Sequence, residues 1–296
     1  MTFGVINVFK PGGSTSRDIV NQVQRACPGK LKAGHAGTLD PLATGVLVVA
    51  VGPATKLIQY VQHLRKTYVG RFRLGLRSDT EDITGEVVAV PDDPLISESE
   101  LQTALHSFVG MIQQTPPQFS AVKVDGQRAY KAARRGETLD IKARPVEVYS
   151  IRLLEFNYPD FEIEIVCGKG TYVRTLGRDI AKSLKSDTVM TTLTRTAIGD
   201  FRIEDAHRLS DVPQCSFESM VDDPLSMVGS LPTVRLDSVE LERLRHGKRL
   251  SSAKWQLPDS ITETAATNHD GQLLAVLGRK SESEFGSKIN FVPQLY

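Results

Sequence analysis

The chain opens on an apolar run, GVINVFK, closed by Pro11-Gly12-Gly13, which reads as a short strand. Behind it, STSRDIVNQVQRACPG places Ile19, Val20, Val23 and Ala26 on one helical face. Thr15 and Asp18 suit the two ends of a capping box, and Pro28-Gly29 stop the helix. Asp40-Pro41 suits an N-cap and a first helical position. The VLVVAVG run that follows has the β-branched density of a buried strand, although its first half also fits a continuing helix. TKLIQYVQHL predicts another helix. From Tyr68 to Leu74 the period drops to two, with Tyr68, Phe72 and Leu74 on one face and Val69, Arg71 and Arg73 on the other. SESELQTALHSFVG reads as a helix and FEIEIVC as a strictly alternating strand. GKGTYVRTLGRDIAKSL turns on two glycines into a helix with Val173, Leu176, Ile180 and Leu184 on its buried stripe.

Strands and helices do not alternate one for one, which predicts an α+β fold rather than a doubly wound sheet. The expected core is a mixed, largely antiparallel sheet flanked by helices. After about residue 230 the texture changes. LPTVRLDSVELERLRHGKRLSS reads as a strand and a basic helix, and ATNHDGQLLAVLGRK as a hairpin around Asp270-Gly271. Two domains are therefore expected, 1–228 and a small β-rich 229–296, joined through the polar stretch near QCSFESMVDDPLSMVGS.

At 296 residues and 40% hydrophobic content the chain suits a globular protein of this organisation. Its first residues lack a signal-peptide pattern, and no apolar stretch reaches the length of a membrane span. Cys27, Cys167 and Cys215 are too few and too scattered for a disulfide framework or a zinc site, so a cytoplasmic location is expected. The net charge of +1 hides an uneven distribution. Residues 1–77 carry eleven Lys and Arg against two acids, and residues 78–111 carry eight acids and no base. A basic opening third fits a polyanion-binding face, and fits equally a solvated surface balanced by the acidic patch. SDTEDITGE, within that patch, lacks the ligand spacing of a calcium loop and is expected to be a solvated turn.

Asp40 has no second acid within a dozen residues on either side. It is either a helix N-cap or a catalytic carboxylate with a distant cation as partner. Arg174 is a candidate partner, because the first turn of a helix disfavours a cation unless something elsewhere pairs with it. Tyr68 is either core packing or a functional ring, and His35, between two glycines, is a turn residue or a ligand contact. No GxxxxGK[ST] and no GxSxG motif is present.

Five stretches occur in order: GVINVFKPGGSTSRDIV, GHAGTLDPLATGVLVVAVGPATKLIQY, KTYVGRFRLGLRSDTEDITGE, PPQFSAVKVDGQRAYKAARRGE and CGKGTYVRTLGRDIA. Together they resemble the bacterial TruB family, stand-alone synthases that make pseudouridine 55 in the T-loop of tRNA. The resemblance covers roughly residues 3–210, with GTLDPLATG as its most specific motif. The C-terminal stretch is similar, more loosely, to a PUA-type RNA-binding module. The resemblance implies the pseudouridine synthase fold, no metal or organic cofactor, and base flipping of the target uridine. It implies Asp40 as nucleophile, Arg174 as the cation that keeps it ionised, and Tyr68 stacked on the flipped base. Tyr172 and Leu193 would line the pocket, and His35 would support the distorted RNA backbone. Lys123, Arg128, Lys131, Arg134 and Arg135, in segment 119–138, would grip the T-arm. The expected partner is tRNA, bound by a monomer with no membrane or protein partner. Two other readings compete: an RNA-binding protein without catalysis, which the presence of Asp40, Tyr68 and Arg174 disfavours, and a retaining glycosidase, which needs two carboxylates about 5 Å apart.

Overall fold

The computed structural model describes residues 3–209 and 214–292. The side chain of Cys215 and the outermost ends of the two expected domains lie outside the described residues. Thr15 caps helix α1 (Ser16–Ala26) as the pattern predicts: its hydroxyl accepts the Asp18 N–H, and the Asp18 carboxylate accepts the Thr15 N–H at 2.9 Å. Ile19, Val20 and Val23 are buried, whereas Ala26 is exposed and Cys27 takes the inward position.

A nine-stranded sheet forms the body of the molecule. Its strands are β1 (Gly4–Lys10), β2 (Ala33–His35), β3 (Thr44–Val51), β4 (Lys66–Leu74), β5 (Gly110–Gln114), β6 (Arg144–Asn157), β7 (Asp160–Cys167), β8 (Thr188–Ile198) and β9 (Phe201–Arg202). The order is β1-β3-β8-β4-β7-β6-β5, with β2 paired to β3 and β9 to β8. Only the β3–β8 pair is parallel, so the sheet is mixed and largely antiparallel. The remaining helices are α2 (Ile58–His63), α3 (Glu98–Ser107), α4 (Ala129–Ala133), α5 (Val173–Ser183) and α6 (Ser238–Arg245).

The helix expected after Asp40-Pro41 does not form. The Ala43 N–H reaches the Asp40 carbonyl at 3.1 Å in a tight turn, and β3 begins at Thr44. Gly45 makes that start possible. Its φ is +101°, and a Cβ there would lie 2.2 Å from the Arg195 carbonyl oxygen on the parallel neighbour β8. Only glycine accepts both conditions.

The alternation of β4 is obeyed: Tyr68, Phe72 and Leu74 point inward with Lys66. Helices α3 and α5 cover this face, and Phe72 stacks on Phe161 with ring centroids 5.3 Å apart. Leu176 and Ile180 complete the core there, while Leu184 packs at its margin. The opposite face of β4, β7 and β6 is polar and laced by cross-strand ion pairs, including Arg71–Glu155 at 2.6 Å and Arg152–Glu164 at 3.1 Å.

Residues 233–290 form a second sheet of five strands, β10 (Thr233–Arg235), β11 (Leu250–Ser251), β12 (Glu263–Thr267), β13 (Leu273–Ser281) and β14 (Glu284–Asn290), ordered β10-β12-β13-β14-β11. The predicted hairpin around Asp270-Gly271 joins β12 to β13. This sheet does not hang free. Ala265, Leu273, Val276, Ile289 and Phe291 share one apolar cluster with Phe3, Val46, Leu57, Val61 and Ile198. Phe291 stacks on Phe3 at 5.6 Å, and the Tyr60 hydroxyl donates to Glu263 at 2.7 Å. Among the described residues, no helix is long and apolar enough to cross a membrane.

Candidate active site

Asp40 lies on the loop between β2 and β3, and three side chains fix that loop by its backbone. Ser16, at the start of α1, exchanges hydrogen bonds with Leu39: its hydroxyl accepts the Leu39 N–H at 2.8 Å and donates to the Leu39 carbonyl at 3.0 Å. Lys10, the fully buried last residue of β1, donates to the carbonyls of Pro11 (2.9 Å), Pro41 (3.2 Å) and Ala43 (2.6 Å). Burial pulls its ammonium down to about 8, and the charge of Asp40 opposes that shift. Arg195 of β8 donates to the carbonyls of Val46 (2.8 Å), Gly37 (3.1 Å) and Thr38 (3.4 Å). It is 1% exposed.

The Asp40 carboxylate, freed from capping a helix, meets the Nε of Arg174 at 2.9 Å. Arg174 is buried in the first turn of α5, and its other nitrogens donate to the carbonyls of Thr80 (2.6 Å) and Phe119 (3.1 Å). One guanidinium therefore joins three chain segments far apart in sequence. The Asp40 side chain is 37% exposed, so the carboxylate is open to water.

The SDTEDITGE stretch is not the solvated turn expected from its composition. Asp79 stays exposed, but Glu81 and Asp82 are buried. Asp82 points one oxygen at Arg174 (3.6 Å) and caps its own turn with the other, accepting the Thr80 hydroxyl at 2.8 Å and the Thr84 N–H at 2.9 Å. Glu81 accepts the Thr175 hydroxyl at 2.7 Å and pairs with Arg178, while burial pushes its carboxyl pKa up. The cations of α5 draw the two acids inward.

Tyr68 is nearly buried in the apolar cluster that holds Leu39, Ala43 and Leu193. Strand register sets Tyr68 beside Arg195, whose guanidinium carbon lies 6.0 Å from the ring centroid. Burial raises the phenol above its ordinary pKa, with the Arg195 charge acting against it. Tyr172 caps α5 two residues before Arg174, and buried Gln114 grips its backbone, accepting the N–H at 2.8 Å and donating to the carbonyl at 3.1 Å. His35, at the end of β2, is half-buried and accepts the Gly37 N–H at Nδ1. Burial, then Arg17 and Arg195, lower its pKa, so its ring is neutral near pH 7.

Asp40 and Arg174 thus pair next to the apolar cluster in which Leu39 and Ala43 join Tyr68 and Leu193, with Tyr172 at the start of the helix that carries Arg174. Lys123, Arg128, Lys131, Arg134 and Arg135 are exposed on a separate hairpin and short helix. Their link to the site is the Phe119 carbonyl held by Arg174. Arg135 already pairs with Glu137 at 2.8 Å. Gln118 closes the segment at its base, bonding both the N–H and the carbonyl of Leu139. Sequence reasoning missed Lys10, Asp82, Gln114 and Arg195. For Arg195 a signal existed: the period-two pattern of TLTRTAI sets it in phase with inward Leu193.

The fold is similar to that in the crystal structure of a Cbf5-Nop10-Gar1 complex, at a TM-score of 0.72 and 25% identity over 98% of this chain and 84% of that one. That defines the class as the pseudouridine synthase fold. The model of the TruB family pseudouridylate synthase N-terminal domain matches residues 24–173. The tRNA pseudouridine synthase B of Thermobifida fusca is 38% identical over 96% of this chain and 97% of its own length, and that of Cereibacter sphaeroides 43% identical over 82% of each. The chain belongs to the TruB family, and it is an isomerase.

Proposed function

We propose that the chain isomerises uridine 55 in the T-loop of tRNA to pseudouridine, with Asp40 as nucleophile on a uridine flipped out of the loop. The observation that carries this reading is the Asp40–Arg174 pair at 2.9 Å, which joins two of the stretches that carry the family resemblance. A carboxylate enclosed by RNA loses water, and desolvation alone would neutralise it; a guanidinium already seated against it opposes that. Tyr68 offers a ring for the flipped base to stack on, and Leu193 with Tyr172 shapes the walls. Unstacking costs a few kcal/mol, offset by this stacking and by phosphate contacts from the basic segment. His35, with Nδ1 occupied by Gly37, presents its other nitrogen as a donor to the displaced backbone. Every group in this reading comes from one chain, so a monomer suffices. The five-stranded C-terminal sheet serves as a PUA-like RNA-binding part held rigidly on the catalytic part by their shared core, and tRNA as substrate makes the cytoplasm the place of action.

A two-carboxylate glycosidase is disfavoured because both oxygens of buried Asp82 are engaged. Incubation with an unmodified T-arm stem-loop, read by a pseudouridine-specific chemical probe, tests the proposal; no product at that one uridine would overturn it.

Arg174→Ala is expected to lower turnover and to move the acidic limb of the pH-rate profile upward, because the carboxylate loses its cation. Arg174→Lys should rescue only in part, since a compact ammonium keeps the charge but not the guanidinium's spread of donors toward Asp40 and the Thr80 and Phe119 carbonyls. An unmoved acidic limb in the alanine variant would leave Arg174 a scaffold residue only.

The basic segment predicts a salt effect. Replacing Lys131, Arg134 and Arg135 by Ala should weaken binding of the stem-loop and flatten the plot of log affinity against log salt by roughly 0.7–0.9 for each phosphate no longer neutralised. Arg135, paired with Glu137, should contribute least. Backbone hydrogen exchange of residues 119–138 should slow when RNA is added, because α4 is one short turn anchored through Ala129 and Ala132 alone. Equal exchange with and without RNA would mean that the segment does not close on its ligand.

A further inference from the structure

On the polar face of the large sheet, Arg71, Arg73 and Arg152 are each paired with a Glu or Asp. Around the Gly168–Tyr172 turn the pattern differs. Arg65, Arg144 and Lys169 surround the Gly168–Tyr172 turn, and none has a carboxylate within ion-pair distance among the described residues. Both arginines are laid on aromatic rings instead: Arg65 over Tyr149 at 3.9 Å and Arg144 over Tyr172 at 5.4 Å. Arg144 also donates to the Gly170 carbonyl at 2.9 Å. Lys169, exposed at the tip of the turn, lies 2.7 Å from the His63 Nε2, while the His63 Nδ1 bonds the Gln59 carbonyl at 2.6 Å. His63 therefore steers Lys169 rather than neutralising it. The cluster is continuous, because the Gly168 N–H bonds the Glu147 carbonyl two residues from Tyr149.

We infer that this turn is the centre of a second polyanion-binding surface, on which Arg65, Lys169 and Arg144 hold backbone phosphates of the RNA strand next to the reacting nucleotide. The inference rests on the proposed RNA substrate and adds a surface separate in sequence from segment 119–138. A guanidinium over a ring with no carboxylate paired to it keeps N–H groups that match a phosphate's two oxygens. Its side chain is ordered before binding, so less entropy is lost on contact. Three cations without an ion-pair partner, against the one carboxylate of Glu147 beside Tyr149, also raise the local potential toward a polyanion, which paired cations do not. The strip ends at Tyr172, two residues from Arg174, so phosphates held on it run toward the Asp40–Arg174 pair.

The test is a double variant, Arg65→Gln with Lys169→Gln, both exposed and outside the catalytic group. Binding of an unmodified T-arm stem-loop transcript is measured between about 50 and 200 mM KCl. The expected result is a slope of log affinity against log salt shallower than wild type by about 1.5, from two contacts at roughly 0.7–0.9 each. A control, Arg71→Gln with Arg152→Gln on the ion-paired face, should keep the wild-type slope. A double variant with the wild-type slope, or a control whose slope flattens as much as that of the double variant, would overturn the surface. Wild-type protein that neither binds nor converts the transcript would overturn the underlying function instead, so the two failures are distinguishable.

Discussion

Asp40→Asn is expected to lower turnover on the T-arm stem-loop by at least about a thousandfold, with folding and RNA affinity close to wild type. The substitution keeps the shape of the side chain and one oxygen that can still accept from Arg174, at the site where the carboxylate oxygen now lies 2.9 Å from Nε. The loop that carries residue 40 is held by backbone bonds to Ser16, Lys10 and Arg195, none of which involves the carboxylate. With 37% of the side chain exposed, little buried packing depends on it. An amide oxygen is neutral and a far weaker nucleophile than a carboxylate, so the chemical step alone fails. Single-turnover conversion with saturating enzyme reads that step directly. Conversion within tenfold of wild type would remove Asp40 from its proposed role.

How far the sequence alone reached can be judged at particular positions. The capping box of Thr15 and Asp18, the alternation of β4 and the stripe of α5 are local signals, and each formed as its pattern predicted. The Asp40–Arg174 partnership was also legible, because a cation in the first turn of a helix calls for an anion from elsewhere. Asp40-Pro41 misled as a helix start. The same pair opens a tight turn equally well, and the β-branched run from Thr44 decides between them only when β8 stands alongside. SDTEDITGE misled more deeply. Its acids are buried by Arg174 and Arg178, more than ninety residues on, and no local pattern carries that pairing. Lys10 is similar: its three acceptors are backbone carbonyls, which leave no mark in side-chain spacing.

Arg195 offers the second large effect. Arg195→Met is expected to lower stability by on the order of 3 kcal/mol, because the carbonyls of Gly37, Thr38 and Val46 lose their donor and each buried unpartnered group costs roughly 1 kcal/mol or more. Methionine matches much of the side chain's length, so a cavity adds little. At roughly 2–4 °C per kcal/mol for a chain of this size, the thermal midpoint should fall by about 6–12 °C. Turnover should fall further than stability explains. Gly37 and Thr38 lead directly into Leu39 and Asp40, and a shift of about 1 Å in a reacting group costs roughly a hundredfold. The same substitution removes the cation beside Tyr68, which lies next to residue 195 across the β4–β8 pair. Affinity for the stem-loop should stay near wild type, since a side chain only 1% exposed has no surface to offer RNA. Arg195→Lys should recover part of the stability, because one compact ammonium nitrogen reaches fewer of three carbonyls that are met by three separate guanidinium nitrogens, and less of the rate, because it cannot span both sides of the loop. Thermal unfolding, stem-loop affinity and single-turnover rate, measured on the same samples, separate these effects. A methionine variant with the wild-type midpoint and rate would show that Ser16 and Lys10 hold the Asp40 loop without Arg195.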